Sequence, residues 1–239
     1  MKKFSKNIFL KKPEVILFDT DNTLYEYSPA NFAAEEAVFK KLKNLFGIER
    51  KKFFESYSKA RKDVKKNLSN TASSHSRLLY FQRMIELLGY SSHLLLALDL
   101  EQTFWRTFLA NAPLFPDVKE TLLFLKSKNI PIGVVTDLTS HIQLRKLTYF
   151  GLEDIFDVVV TSEEVGLDKP FEKNFLLALE KLNLKKNAYF WMVGDDPYAD
   201  IFGAKRVGGV TFQKIHNNVK LGENECLPDF SFNKYSQFL

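Results

Sequence analysis

The chain has 239 residues, 45% hydrophobic and 26% charged, with 23 phenylalanines against 10 glycines, and a net charge of +5. This is enough apolar mass for one large core or for a core with a smaller companion. It excludes a disordered chain, and the single cysteine, Cys226, excludes a disulfide-stapled one. No secretory leader and no apolar run of about 18 or more residues can be found, so a cytoplasmic protein with no membrane partner is expected.

The first twelve residues, MKKFSKNIFLKK, carry five lysines around a short apolar patch and read as a solvated arm leading into the first strand. That strand is the apolar run VILF at 15–18. Residues 30–112 then show helical periodicity with almost no strand signal. Breaks near Gly47, from Asn67 to Ser74 and from Gly89 to Ser92 predict four helices, at about 30–46, 49–67, 74–88 and 92–111. Residues 40–66 hold eleven Lys or Arg against three Asp or Glu. Phe53, Tyr57, Ala60, Val64 and Leu68 recur there at helical spacing, so this charge is expected on the solvent face of an amphipathic helix and no nucleic-acid partner is expected.

From Pro116 onward the texture changes to short β-branched runs between helical stretches: PIGVVT at 131–136, FDVVVT at 156–161, AYFWMV at 188–193 and GVTF at 209–212. Alternating strand and helix predicts an α/β fold, a doubly wound parallel sheet, into which the helical block is inserted. The expected division is 1–25 with 114–239 as the core and 26–113 as the insertion, with Pro29, Pro113 and Pro116 marking the junctions.

In such a sheet, ligands bind beyond the carboxyl ends of the strands. The first strand ends in Asp19-Thr20-Asp21-Asn22-Thr23, the second in Thr136-Asp137, and the fourth in Gly194-Asp195-Asp196-Pro197-Tyr198-Ala199-Asp200, while Lys169 follows the third. Singly, each has a plain explanation as a helix cap, a turn or a solvated charge. Together they converge on one spot, where several carboxylates would repel one another without a cation. Hard oxygen ligands with few histidines favour Mg2+, with Asp19 and Asp195 as anchors and Asp196 or Asp200 supporting. Once that charge is neutralised, the Thr136 hydroxyl and the Lys169 ammonium could hold the oxygens of a phosphoryl group, with Asp137 beside them.

DTDNT at 19–23, Thr136 after a hydrophobic strand, Lys169 in SEEVGLDKP, and GDDPYAD at 194–200 followed by DIFGAKRVG resemble the four motifs of the haloacid dehalogenase superfamily. The likeness is to the subfamily whose Rossmann-like core carries a helical cap after the first motif, and it spans nearly the whole chain. The resemblance implies that Asp19 is the nucleophile that becomes an aspartyl phosphate and that Asp21 is the general acid and base, its backbone carbonyl a further metal ligand. The dehalogenases that name the superfamily lack an acid at the position of Asp21, which disfavours carbon–halogen hydrolysis. Asp196 stands where many relatives have a small hydroxyl residue. It is read as a ligand, a supporting partner or a helix N-cap, and Asp195 ranks above it.

The implied function is a Mg2+-dependent phosphatase, with a small phosphomonoester such as a nucleotide or sugar phosphate as its partner, acting as a monomer or homodimer. A phosphomutase on the same scaffold and a non-catalytic binding protein are the alternatives. Tyr25, Tyr27 and Phe32 follow the nucleophile and either stack on the substrate or pack the hinge. His75, His93, His141, His216 and Cys226 are expected to play no part in the chemistry.

Overall fold

The computed structural model describes residues 1–239 apart from Lys6, Asn7, Phe9, Ser92 and Asn218. The chain packs into two compact units, Tyr27–Pro113 and the combination of Met1–Glu26 with Leu114–Leu239.

The smaller unit is helical: α1 (Tyr27–Phe46), α2 (Arg50–Asn67), α3 (Arg77–Leu87) and α4 (Leu94–Ala110). α1 begins before the predicted residue 30, because Pro29 fits the first helical turn, where no N–H bond is lost. α3 begins later than predicted, because Ala72–His75 form a separate 3-10 turn and the Ser76 side chain accepts the Leu79 amide at 3.3 Å as an N-cap. The predicted start of the fourth helix at Ser92 lies outside the described residues. Phe53, Tyr57 and Ala60 bury one face of α2 while Lys51, Lys52, Lys59, Lys62 and Lys66 are exposed, as the periodicity requires. Inside the unit, Phe81 meets Phe104 and Phe104 meets Trp105 with ring centroids 5.9 and 5.1 Å apart. The Arg77 guanidinium lies over Phe104 and Trp105 at 5.1 and 5.5 Å, a cation–π arrangement that helps a buried charge tolerate its apolar surroundings.

The larger unit is built on a seven-stranded sheet: β1 (Lys2–Lys3), β2 (Val15–Phe18), β3 (Ile132–Thr136), β4 (Val158–Thr161), β5 (Phe190–Gly194), β6 (Val210–Lys214) and β7 (Phe230–Phe232). Their order is β1-β7-β6-β5-β2-β3-β4, parallel throughout except for the β1–β7 pair. The sheet is doubly wound and α/β, as predicted. The connecting helices include α5 (Val118–Ser127), α6 (Ser140–Tyr149), α7 (Ser162–Val165), α8 (Lys173–Lys181) and α9 (Gly203–Arg206). All four residues of β2 are 0% exposed, as a central parallel strand demands, and Leu17, Val135, Val160, Phe175, Phe190 and Met192 share one core cluster.

Two short strands at one side of the sheet depart from the sequence reading. Lys2–Lys3, expected within a solvated arm, pairs antiparallel with Phe230 and Ser231, and the strand Phe230–Phe232 was not anticipated. Strands of two and three residues carry too little alternation to be visible in a sequence; they form because the edge amides and carbonyls of the sheet need partners. No helix among the described residues is long and apolar enough to cross a membrane.

The topology fixes where the chemistry must lie. From β2 the chain adds β3 and β4 on one side, then crosses to place β5, β6 and β7 on the other. Phe18 pairs with both Val134 and Val193, so the carboxyl ends of β2, β3 and β5 stand level at the switch in strand order. One residue further, the Asp19 amide donates to the Val193 carbonyl at 2.9 Å.

Candidate active site

The loop after β2 turns back at once. Leu24 N donates to the Thr20 carbonyl at 2.8 Å, and Asn22 takes φ 61°, a left-handed conformation that asparagine tolerates. This turn presents Asp19, Asp21 and Thr23 at the mouth of the sheet. Every predicted site residue except Tyr25 lines a single cavity of about 180 Å³: Asp19, Asp21, Thr136, Asp137, Lys169, Asp195, Asp196 and Asp200.

Lys169 organises the floor. Its ammonium, buried with 2% of the side chain exposed, donates to Asp19 Oδ1 and Asp200 Oδ1, each at 2.7 Å, and to the Val135 carbonyl at 3.1 Å. All three of its donors are therefore satisfied. Burial alone would lower the lysine pKa, but the carboxylates of Asp19, Asp200 and Asp137 outweigh it and raise it well above the usual value. The lysine is thus held as a cation. The Asp137 carboxylate accepts the Lys169 amide at 2.9 Å, and burial pushes it up to about 6. Its side chain therefore anchors the lysine loop while also lining the cavity.

Asp19, Asp195 and Asp200 each offer an oxygen within 4.8 Å of the others. Burial is the largest cause raising all three, and neighbouring carboxylates add to it, Asp21 for Asp19 and Asp19 for the other two. Asp195 is pushed up to about 9 and Asp200 to about 8, with Lys169 opposing in every case; Asp19 is also raised. Among the described residues the Asp195 carboxylate accepts only a long 3.5 Å bond from the Thr23 hydroxyl, so it is the least compensated of the group. Several carboxyl groups crowded around one ammonium resist ionising together without a further cation. An all-oxygen donor set of this kind fits a hard divalent cation.

Asp196 is resolved differently from the ligand reading. One of its oxygens accepts the amides of Tyr198 and Ala199, both at 2.8 Å, so it caps the helical turn Pro197–Phe202. Asp200, one turn further on, joins the acidic cluster instead and also accepts the Asp196 amide at 3.0 Å. Gly194 is required beside it, because a Cβ there would fall inside the Asp200 carboxylate.

Thr136 lies within 2.8 Å of the Thr20 hydroxyl and accepts from Gln143 Nε2 at 2.9 Å. With Gln143 donating inward, the Thr136 hydroxyl proton can point to another oxygen. Tyr25 is not placed to stack on a ligand. Its ring lies against Phe150 with centroids 5.0 Å apart, and its hydroxyl donates to Asp21 Oδ1, so it packs and anchors the site from behind. Tyr27 makes helical-unit contacts with Phe108 and Asn31, while Phe32 is exposed.

None of the histidines enters the acidic cluster. His141 is exposed on α6, and the His216 imidazole is buried against Phe115. Cys226 is half-buried in a short turn. The sequence reading did not single out Lys146, Gln143, Thr23 or Tyr235. Lys146 pairs with Asp21, and the Tyr235 hydroxyl donates to the Thr23 carbonyl at 2.8 Å, steadying the loop after β2. For Gln143 and Lys146 a signal existed: they stand one turn apart on a helix that begins just after Thr136 and so share its inward face.

A family model described as haloacid dehalogenase-like hydrolase matches residues 13–208. The chain is 42% identical over 194 residues to ribulose-1,5-bisphosphate 5-phosphatase of Halopiger xanaduensis, with 81% of each chain covered. It is 29% identical over 231 residues to glyceraldehyde 3-phosphate phosphatase of Methanopyrus kandleri, with 95% of each covered. Among solved structures, a 2-haloacid dehalogenase of Pseudomonas syringae matches with a TM-score of 0.74 and 26% identity, over 93% of this chain and 95% of that one.

Proposed function

The chain belongs to the haloacid dehalogenase-like hydrolases, and on that premise we propose that it is a Mg2+-dependent phosphatase that releases the phosphate of a small sugar phosphate. The observation that carries the proposal is the Lys169 ammonium bridging Asp19 and Asp200 within one acidic cavity that Thr136 and Asp195 also line. The two named phosphatases above support the substrate class, since each removes a phosphate from a short sugar phosphate. The likeness to a dehalogenase extends to the fold; the carboxylate of Asp21, which the dehalogenases lack, favours the phosphatase.

In this reading an Asp19 oxygen attacks phosphorus while Asp21 gives a proton to the departing sugar oxygen, leaving an aspartyl phosphate. Asp21, now a carboxylate, takes a proton from water as the water oxygen attacks phosphorus, and the Asp19 carboxylate is restored. The Thr136 hydroxyl holds a peripheral phosphoryl oxygen, and the Lys169 cation beside Asp19 offsets the charge there during transfer, giving up one of its present bonds where a phosphoryl oxygen takes its place. Asp19, Asp195 and the Asp21 carbonyl would hold the magnesium ion, with Asp200 behind them; bound there, the ion neutralises the cavity and offsets the charge of the phosphate. The buried Lys169 keeps Asp19 directed into the cavity throughout.

The test is phosphate release from a panel of sugar phosphates and nucleotides with magnesium, beside Asp19→Asn. Release from a triose or pentose phosphate that disappears in the variant supports the proposal. Conversion to an isomer without release would point to a phosphomutase. Silence across the panel would point to a binding protein that keeps the fold.

A further inference from the structure

Helix α6 contributes a buried ammonium that the mechanism above does not use. Lys146 has 1% of its side chain exposed, and its Nζ donates to Asp21 Oδ1 at 2.7 Å and to Oδ2 at 3.0 Å. The Tyr25 hydroxyl donates to the same Oδ1, and the ammonium stands 5.8 Å from the centre of the Tyr25 ring. One turn earlier on the same helix, Gln143 Nε2 donates to Thr136 Oγ1 at 2.9 Å and to the Asp137 carbonyl at 2.7 Å. α6 therefore fixes the ends of two neighbouring strands at once.

A buried ion pair is a poor way to gain stability, because removing two charges from water offsets most of their attraction and an apolar pair often does as well or better. This pair also leaves Asp21 partly exposed, with 31% of its side chain open, while the lysine behind it is closed off. An ammonium sealed behind a carboxylate that lines a cavity is suited to orienting that carboxylate. Two bonds from Lys146 fix the plane of the carboxyl group, and Tyr25 fixes its direction.

We propose that Lys146 is a positioning residue for Asp21, acting chiefly in the half-reaction in which Asp21 must accept a proton from water. The inference rests on Asp21 being the general base of the proposed phosphatase. In that step the water oxygen bonds to phosphorus, the water proton passes to Asp21, the bond from phosphorus to Asp19 breaks, and its electron pair returns to the Asp19 carboxylate. The proton on Asp21 then serves the next leaving group. A misaligned carboxylate slows the water step, whereas attack by Asp19 on a substrate with a good leaving group needs little help from it.

The experiment is rapid-quench turnover of para-nitrophenyl phosphate with magnesium, comparing wild type, Lys146→Met, Asp21→Asn and the double variant, with each fold checked by circular dichroism. Lys146→Met is expected to keep a stoichiometric burst of nitrophenolate and to lose about 10–100-fold in steady-state kcat, with KM falling in step so that kcat/KM is little changed, and with aspartyl phosphate accumulating. In the Asp21→Asn background it is expected to cost nothing further, because its effect passes through Asp21. An unchanged steady state in Lys146→Met overturns the inference. So does an equal loss in both backgrounds, or a burst slowed as much as turnover. Should Asp21→Asn itself turn over normally, the reading of Asp21 falls and takes this inference with it. If Lys146→Met does not fold, Tyr25→Phe removes a donor from the same carboxylate and takes its place: a retained burst with slowed turnover supports the arrangement, and wild-type kinetics overturn it.

Discussion

Removing the charge of one aspartate should change how stability responds to pH when no metal is bound. Asp195 is raised to about 9 from an ordinary 3.8, first by burial and then by the charges of Asp19, Asp200 and Asp196. Asp200 is raised to about 8. A carboxyl group with a raised folded pKa keeps its proton in the native state, while the unfolded chain has released it. Its contribution is complete below the unfolded value and is lost as pH climbs towards the folded one. His216 works in the opposite sense below its ordinary 6.5, because burial first, and Lys214 second, hold it neutral. Asp137, at about 6, has largely titrated by then. The clearest window is therefore pH 6.5 to 8. A single retained proton there is worth about 1.4 kcal/mol per pH unit, or about 2 kcal/mol over the window. For a chain of this size that corresponds to a fall in Tm of about 4–8 °C for each of the two groups. Calorimetry in a chelating buffer should show this fall in the wild type and a flatter profile in Asp195→Asn. Added magnesium should raise Tm more at pH 8 than at pH 6.5, since the ion and the proton compete for the same oxygens. A metal-free Tm that stays level or rises across the window, or an Asp195→Asn profile parallel to the wild type, would refute this reasoning.

Three substitutions probe the same cavity by other means. Lys169→Met leaves Asp19 and Asp200 buried without their shared cation and should cost about 3–5 kcal/mol in urea melts, together with phosphate release. Gly194→Ala pushes a methyl group into the Asp200 carboxylate and should cost about 1–3 kcal/mol by thermal denaturation, with weaker magnesium binding by calorimetric titration. Asp196→Ala removes an N-cap and should cost about 1 kcal/mol while most turnover survives, whereas Asp195→Asn should lose turnover; comparing the two activities separates the adjacent aspartates.

Much of this was legible in the chain because parallel strands place their chemistry at one end. The runs before Asp19, Thr136 and Gly194 are β-branched and apolar, so their strand character and the residue that ends each could be read directly. What escaped depended on contacts across long separations. Lys146 lies 125 residues from Asp21, and a lysine on an amphipathic helix ordinarily points to water. The edge pairing of Lys2–Lys3 involves too few residues to leave a pattern. Which of Asp196 and Asp200 faces the acidic cluster depends on the turn between them, and composition says nothing about that turn. Tyr25 was read as a choice between stacking and packing. Its hydroxyl decided the matter by reaching Asp21.

The bond from the Tyr235 hydroxyl to the Thr23 carbonyl joins positions 212 residues apart. The turn after β2 is thus braced by the segment that follows β7, so loosening that segment would also loosen the loop that carries Asp19.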